Sequence, residues 1–260
     1  MLDEQRILLA GGTGRLGREL APRFREEGFD VAALGRRVLD AAVWHDALGA
    51  VVRYKPDLVV NLAAETRVGW CEDNYSTAWR SNALTAGMLA VACRQQGVPF
   101  VQVSTDYVLG SYGPHAAYPL TLGGQLLGPT TVYGKTKALG ELLALEAEGT
   151  VVRVAHLCPD DAKEYSWLNG VTVSSRDWTH DCAERLARFV VEENLVGMPL
   201  GSCVCHVGPP ETRTVADMVR ERWPAHPALA DVVTDPGELR ERLGYPVPLD
   251  TRFDPHSLWK

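Results

Sequence analysis

Tyr133 and Lys137 lie four residues apart in Tyr133-Gly134-Lys135-Thr136-Lys137, a spacing that puts both side chains on one face of a helix. A phenol titrates near about pH 10 and handles protons poorly at neutral pH. A neighbouring ammonium favours the phenolate and brings the group toward the range of useful acid–base chemistry. In Ser104-Thr105-Asp106-Tyr107 the Thr105 hydroxyl is placed to donate to a substrate oxygen beside the Tyr133 phenol. Together they would stabilise an alkoxide formed at a reduced carbonyl. Ser, Thr and Asp also suit a helix cap or a turn, which is the plainer reading of the second segment.

A second constellation could hold a phosphate. Gly11-Gly12-Thr13-Gly14-Arg15-Leu16-Gly17 follows an apolar segment and opens an amphipathic one. Gly11 allows the tight turn, Gly14 lets backbone N–H groups approach a pyrophosphate, and Gly17 lets the helix pack on the strand. The helix N-terminus adds partial positive charge. The residues after the next apolar run decide which dinucleotide fits. A carboxylate there would take the ribose 2′-hydroxyl of NAD, whereas an arginine would take a 2′-phosphate. The chain has Gly35-Arg36-Arg37, with no carboxylate before Asp40, and Arg15 adds a cation inside the turn. NADPH is therefore the expected cofactor, with NADH tolerated. Lys137 would then also hold ribose hydroxyls.

These groups need a scaffold, and the hydrophobic pattern supplies one. Strands are predicted over 6–10, 30–34, 57–62, 99–104 and 150–154, with helices over 16–27, 40–54, 78–96 and 133–147 between them. Apolar strands separated by helices imply a doubly wound parallel α/β sheet of the Rossmann type, with Thr105 at a strand's carboxyl end where such sheets bind ligands. Residues 1–155 are expected to form the NAD(P)-binding domain. Residues 156–260 are expected to form a small substrate lobe, interleaved with the last strands and not folding alone. Within that half, 179–192 reads as a helix, 203–207 as a late strand, and Thr212 or Thr214 as a helix cap.

Composition narrows the function classes. With 26 basic and 33 acidic residues the net charge is −7, which argues against a nucleic-acid partner. No apolar run approaches the roughly 20 residues that span a bilayer, so no membrane partner is expected. The acidic N-terminal residues do not resemble a signal peptide, so a cytoplasmic protein is expected. The six cysteines lack Cys-x-x-Cys spacing and read as reduced thiols, with Cys203 and Cys205 pointing the same way from one strand. The scattered histidines give no metal-ligand spacing.

The glycine turn, Asn61-Leu62-Ala63-Ala64-Glu65-Thr66, Ser104-Thr105-Asp106-Tyr107-Val108 and Tyr133-Gly134-Lys135-Thr136-Lys137 with Gly140-Glu141 resemble the extended short-chain dehydrogenase/reductases. Within them the pattern is most similar to the dTDP-4-dehydrorhamnose reductase group, in register from about Arg6 to Arg153. Leu39-Asp40 matches that group's adenine side, and Asn82 its mid-helix asparagine. The resemblance implies NADPH-dependent reduction of a nucleotide-activated 4-keto-6-deoxysugar at C4. Thr105, Tyr133 and Lys137 would be catalytic. Gly11, Thr13, Gly14, Arg15, Leu16, Gly17, Arg36, Asp40, Ala63, Ala64 and Thr66 would bind the cofactor, together with Tyr133 and Lys137. Val68, Asp106, Tyr107 and His156 would line the substrate pocket. Tyr107 stands where related dehydratases carry a glutamate, which favours simple reduction. The chain departs from the group at Trp70, where a basic residue is usual, at His156, where a tryptophan is usual, and across 168–179. Two other readings stay open: an NAD-dependent epimerase or dehydratase, and a non-catalytic NADP-binding regulatory subunit. A homodimer is possible in this family.

Overall fold

The computed structural model describes residues 5–109, 129–154, 157–158, 163, 168–170, 173–174, 177–196, 201–209, 211, 213–244 and 250–251. Its framework is a six-stranded sheet of β1 (Arg6–Ala10), β2 (Asp30–Leu34), β3 (Leu58–Asn61), β4 (Phe100–Thr105), β5 (Thr150–Val154) and β6 (Cys203–Val207), in the order β6-β5-β4-β3-β1-β2. Every pairing in it is parallel. The order reverses at β1, with β2 on one side and β3 on the other. That switch point opens a crevice outside the strands' carboxyl ends.

Alternation along each strand feeds two cores. Ile7 and Leu9 face α1 (Arg15–Glu26) and α7 (Thr179–Glu192), where Leu20, Phe24, Leu186 and Val190 are buried. Leu8 and Ala10 face α2 (Trp44–Tyr54) and α5 (Thr85–Gln96), where Ala47, Val51, Leu89 and Cys93 are buried. Each fully buried Leu or Ile contributes roughly 1.5–3 kcal/mol, so both faces of the sheet are anchored. The helix α7 and the strand β6 belong to this framework although they follow residue 155. A separate cluster around Leu168, Trp178, Met218 and Val219 forms beside it, with α8 (Val215–Arg222) capped by Thr214. Thr214 and Asp217 exchange hydrogen bonds with each other's backbone N–H, a reciprocal cap.

Two expected helices differ in detail. The segment expected as helix from 40 starts only at Trp44, after a turn in which the Val43 N–H donates to the Asp40 carbonyl. The segment expected as one helix over 78–96 is α4 (Tyr75–Trp79), a π turn (Arg80–Leu84) and α5. A short helix α3 (Val68–Asp73) precedes them, in a stretch too short to carry a clear period. The helix α6 (Val132–Glu146) begins where the Thr131 hydroxyl accepts from the Gly134 N–H at 3.0 Å.

Candidate active site

The glycine turn connects β1 to α1. Gly11 has φ +79°, and a Cβ there would stand 2.6 Å from Ala63 N. A Cβ on Gly17 would meet the Gly12 backbone at the same distance, so the helix sits directly on the turn. The first turn of α1 carries no acidic side chain, so its N–H dipoles meet no carboxylate from that turn. The turn therefore fits a pyrophosphate, in keeping with the glycine spacing.

The crevice extends from the turn in two directions. One arm, a cavity of about 230 Å³, is lined by Thr13, Arg36, Leu39, Asp40, Ala63, Glu65 and Arg80, among others. There Arg80 donates twice to the Asp40 carboxylate, at 3.0 and 2.9 Å. Arg80 thus offsets Asp40, one of the two carboxylates, with Glu65, that share this arm with Arg36. The other arm, about 570 Å³, is within the size range of small-molecule sites. Its walls include Arg15, Leu16, Thr66, Val68, Thr105, Tyr107, Tyr133 and Lys137. Gly11, Gly14 and Ala64 line both arms.

Of the residues singled out in the sequence, His156 lies outside the described residues. Asp106 is buried behind Thr105 instead of lining either arm, and its carboxylate accepts from the Thr105 hydroxyl at 3.0 Å. The remaining candidates line one arm or the other, and Gly17, which also packs the helix on the turn, is among them. Arg80, Ser81 and Glu65 were not singled out. The available signal was Asn82, a polar residue amid Ala78, Ala83 and Ala86. It is buried within the π turn that brings Arg80 and Ser81 to the cavity, and such turns mark functional segments.

Asn82 ties the two halves of the site together. Its Oδ1 accepts from the Glu65 N–H at 2.7 Å, and its Nδ2 donates to the Glu65 carbonyl and to Thr136 Oγ1 at 3.2 and 3.0 Å. The cofactor-side loop and α6 are thereby held at one spacing. A Cβ on Gly140 would stand 2.4 Å from the Asn82 carbonyl, so only glycine permits this approach of α6.

Tyr133 is buried, with its ring edge against Tyr107 at a centroid distance of 5.6 Å. Burial raises its pKa above the ordinary phenol value. The hydrogen bond with Thr105 pulls the other way, and the Asp106 charge adds to the rise. This corrects the expectation that Lys137 brings the phenol down: the Lys137 ammonium donates to the Val103 carbonyl at 2.7 Å, and desolvation outweighs it. Burial also lowers the Lys137 pKa to about 8, the Glu141 carboxylate one turn on opposing that fall. Glu141 is itself held by Arg153 in a fully buried bidentate pair at 2.9 and 2.6 Å.

The family model described as the RmlD substrate binding domain matches residues 5–168. The chain is 41% identical over 157 residues to a dTDP-4-dehydrorhamnose reductase of Streptomyces griseus, covering 58% of this chain and 50% of that protein. It is 36% identical over 157 residues to a dTDP-4-keto-6-deoxy-D-glucose reductase of Streptomyces niveus, covering 58% and 52%. The chain thus spans about half the length of the curated relatives it matches. Among solved structures, a dTDP-4-dehydrorhamnose reductase from Bacillus anthracis in complex with NADP superposes with a TM-score of 0.79 at 20% identity, over 97% of this chain and 90% of that one. The corresponding protein from Clostridium acetobutylicum gives 0.79 at 25% identity, over 98% and 91%. With well over half its residues matched by the family model, the chain belongs to the RmlD substrate binding domain family.

Proposed function

We propose that this chain is an NADPH-dependent reductase of a nucleotide-activated 4-keto-6-deoxysugar. The observation that carries the reading is the grouping of Thr105, Tyr133 and Lys137 on the walls of one arm that the glycine turn also lines. Bound NADPH would supply the hydride that reaches the sugar C4. The glycine turn and the α1 N-terminus would bind its pyrophosphate, Arg36 the 2′-phosphate, and Lys137 the ribose hydroxyls. With a pKa near about 8, Lys137 is mostly cationic at neutral pH.

The raised pKa of Tyr133 suits the reducing direction. Reduction needs a donor that arrives carrying its proton, and burial keeps the phenol protonated. An alkoxide is a far stronger base than a phenolate, so the proton passes from Tyr133 Oη to the sugar oxygen downhill. The Thr105 hydroxyl donates to the Asp106 carboxylate, not to a substrate oxygen as its place in the sequence suggested, and its contact with the phenol oxygen positions Tyr133. Tyr107, at the position where a dehydratase would use a carboxylate, packs on Tyr133 and provides no base. The names of the curated relatives support the same substrate class.

A panel of nucleotide-linked 4-keto-6-deoxysugars with NADPH tests this. One NADPH oxidised per molecule of C4 alcohol formed is the expected result. Product without net NADPH loss would support the epimerase or dehydratase reading, and NADPH binding without turnover would support a regulatory subunit.

A further inference from the structure

Cys203 and Cys205 lie on the same face of β6, with their sulfurs 3.9 Å apart. They are remote from the crevice. Cys203 pairs with Thr150, the first residue of β5, whereas the crevice is walled by Val154 at the other end. Four residues of strand separate those points, about 13 Å. The two thiols are unequal: Cys203 is half-buried next to the exposed Gly201 and Ser202, and Cys205 is buried. The Cys203 sulfur is also 3.5 Å from Thr150 Oγ1. A thiolate at Cys203 thus has two hydrogen-bond donors at hand, the Cys205 S–H and the Thr150 O–H.

We propose that Cys203 is a modification site at which the chain takes up a low-molecular-weight thiol as a mixed disulfide, with Cys205 and Thr150 as the groups that activate it. The Cys203 thiolate attacks one sulfur of a small disulfide RS–SR. The new bond joins Cys203 Sγ to that sulfur, the RS–SR bond breaks, and the second sulfur leaves as RS⁻ to be protonated by solvent. The small disulfide is the oxidant, and one of its two sulfurs is reduced. Hydrogen bonding from Cys205 and Thr150 lowers the Cys203 pKa to about 6, against desolvation, which raises it. Cys71, by contrast, is pushed up to about 11, and Cys93 and Cys182 are pushed up by burial as well. A reactive thiol is one that is both partly exposed and partly ionised, and among these described cysteines Cys203 meets both conditions.

The mixed disulfide is the lasting product. Residues two apart on an extended strand are separated by about 6.6 Å along it. A relaxed disulfide needs Cβ atoms roughly 3.5–4.5 Å apart. Attack by Cys205 on the modified Cys203 would require β6 to bend, and pairing with β5 along its whole length resists this.

The test is to treat the reduced protein with excess glutathione disulfide between about pH 5.5 and 8.5, a range that runs up to the ordinary thiol value, and to follow intact mass and peptide maps. The expected result is a single glutathione adduct that maps to Cys203. At about pH 6.5 it should form several-fold faster than an adduct on an unactivated exposed cysteine, the larger thiolate fraction outweighing its lower nucleophilicity. Cys205→Ala should slow the reaction at that pH several-fold and move its pH midpoint upward, and Thr150→Val should do the same through the other donor. Modification first at another cysteine, no adduct at all, closure to a Cys203–Cys205 disulfide, or unchanged rates in both variants would overturn the proposal. Reductase turnover is not among the readouts, so the result stands apart from the proposed activity.

Discussion

At the scale of single residues, the proposed function divides the site into groups that would bind and groups that would move a proton. Tyr133→Phe would remove only the proposed proton donor. It should cut kcat by a factor on the order of 10² or more while NADPH affinity, followed by fluorescence titration, stays nearly unchanged. Arg36→Ala should weaken NADPH about ten-fold and leave NADH almost unaffected, as measured by paired Kd determinations; equal losses would remove the 2′-phosphate contact from the account. Types and spacing made these residues legible in the sequence: Tyr-x-x-x-Lys after a nucleotide turn, and an arginine where NAD-dependent sites place a carboxylate. The direction of the Tyr133 pKa was not legible. It depends on whether the Lys137 ammonium points at the phenol or at the Val103 carbonyl, and sequence spacing fixes only the shared helix face.

The elements explain why those side chains meet. The helix α6 is fixed on one side by Asn82 and on the other by the buried pair of Glu141 with Arg153. Asn82→Ala leaves the Glu65 N–H without its acceptor, while the Glu65 carbonyl keeps Cys71 and the Thr136 hydroxyl keeps the Tyr133 carbonyl, so a stability loss of about 1–3 kcal/mol is expected in urea unfolding, with a raised KM for NADPH as the Glu65 loop loosens. Glu141→Gln leaves a guanidinium buried without its counter-charge and should cost about 3–5 kcal/mol. Strands and most helices were legible because apolar periodicity is a local signal: Ile7 and Leu9 against Leu8 and Ala10 already name both faces of β1. The π turn was not, since a one-residue wind-out leaves the apolar pattern of 78–96 intact and shows itself only as a buried asparagine. The short helix α3 was missed because six residues contain fewer than two turns.

For the whole molecule, two buried titrating groups outside the crevice shape the response to acid in opposite senses. Burial and the Arg153 charge lower the His206 pKa to about 4. Between about pH 6.5 and 4 the unfolded chain therefore binds the proton that the folded one refuses, and stability falls as the pH drops. Burial raises the Asp177 pKa to about 6 despite Arg185. Between about pH 6 and 4 the folded chain then binds the extra proton, and stability rises as the pH drops. Urea midpoints across that range should accordingly fall more steeply on acidification in Asp177→Asn than in the parent, and less steeply in His206→Gln; parallel curves for all three would reject both assignments. The six-stranded sheet itself, with β6 and α7 drawn from beyond residue 155, gives the crevice its floor, and the proposed chemistry falls to the end of β4 and the first turns of α6. The most direct test of that chemistry uses NADPH carrying deuterium at the transferring position of the nicotinamide and a nucleotide-linked 4-keto-6-deoxysugar, with the product read by NMR. The account expects one deuterium on the sugar C4 per NADPH consumed, at a rate that collapses in Tyr133→Phe. Deuterium retained on the nicotinamide, or incorporation as fast in the variant as in the parent, would contradict it.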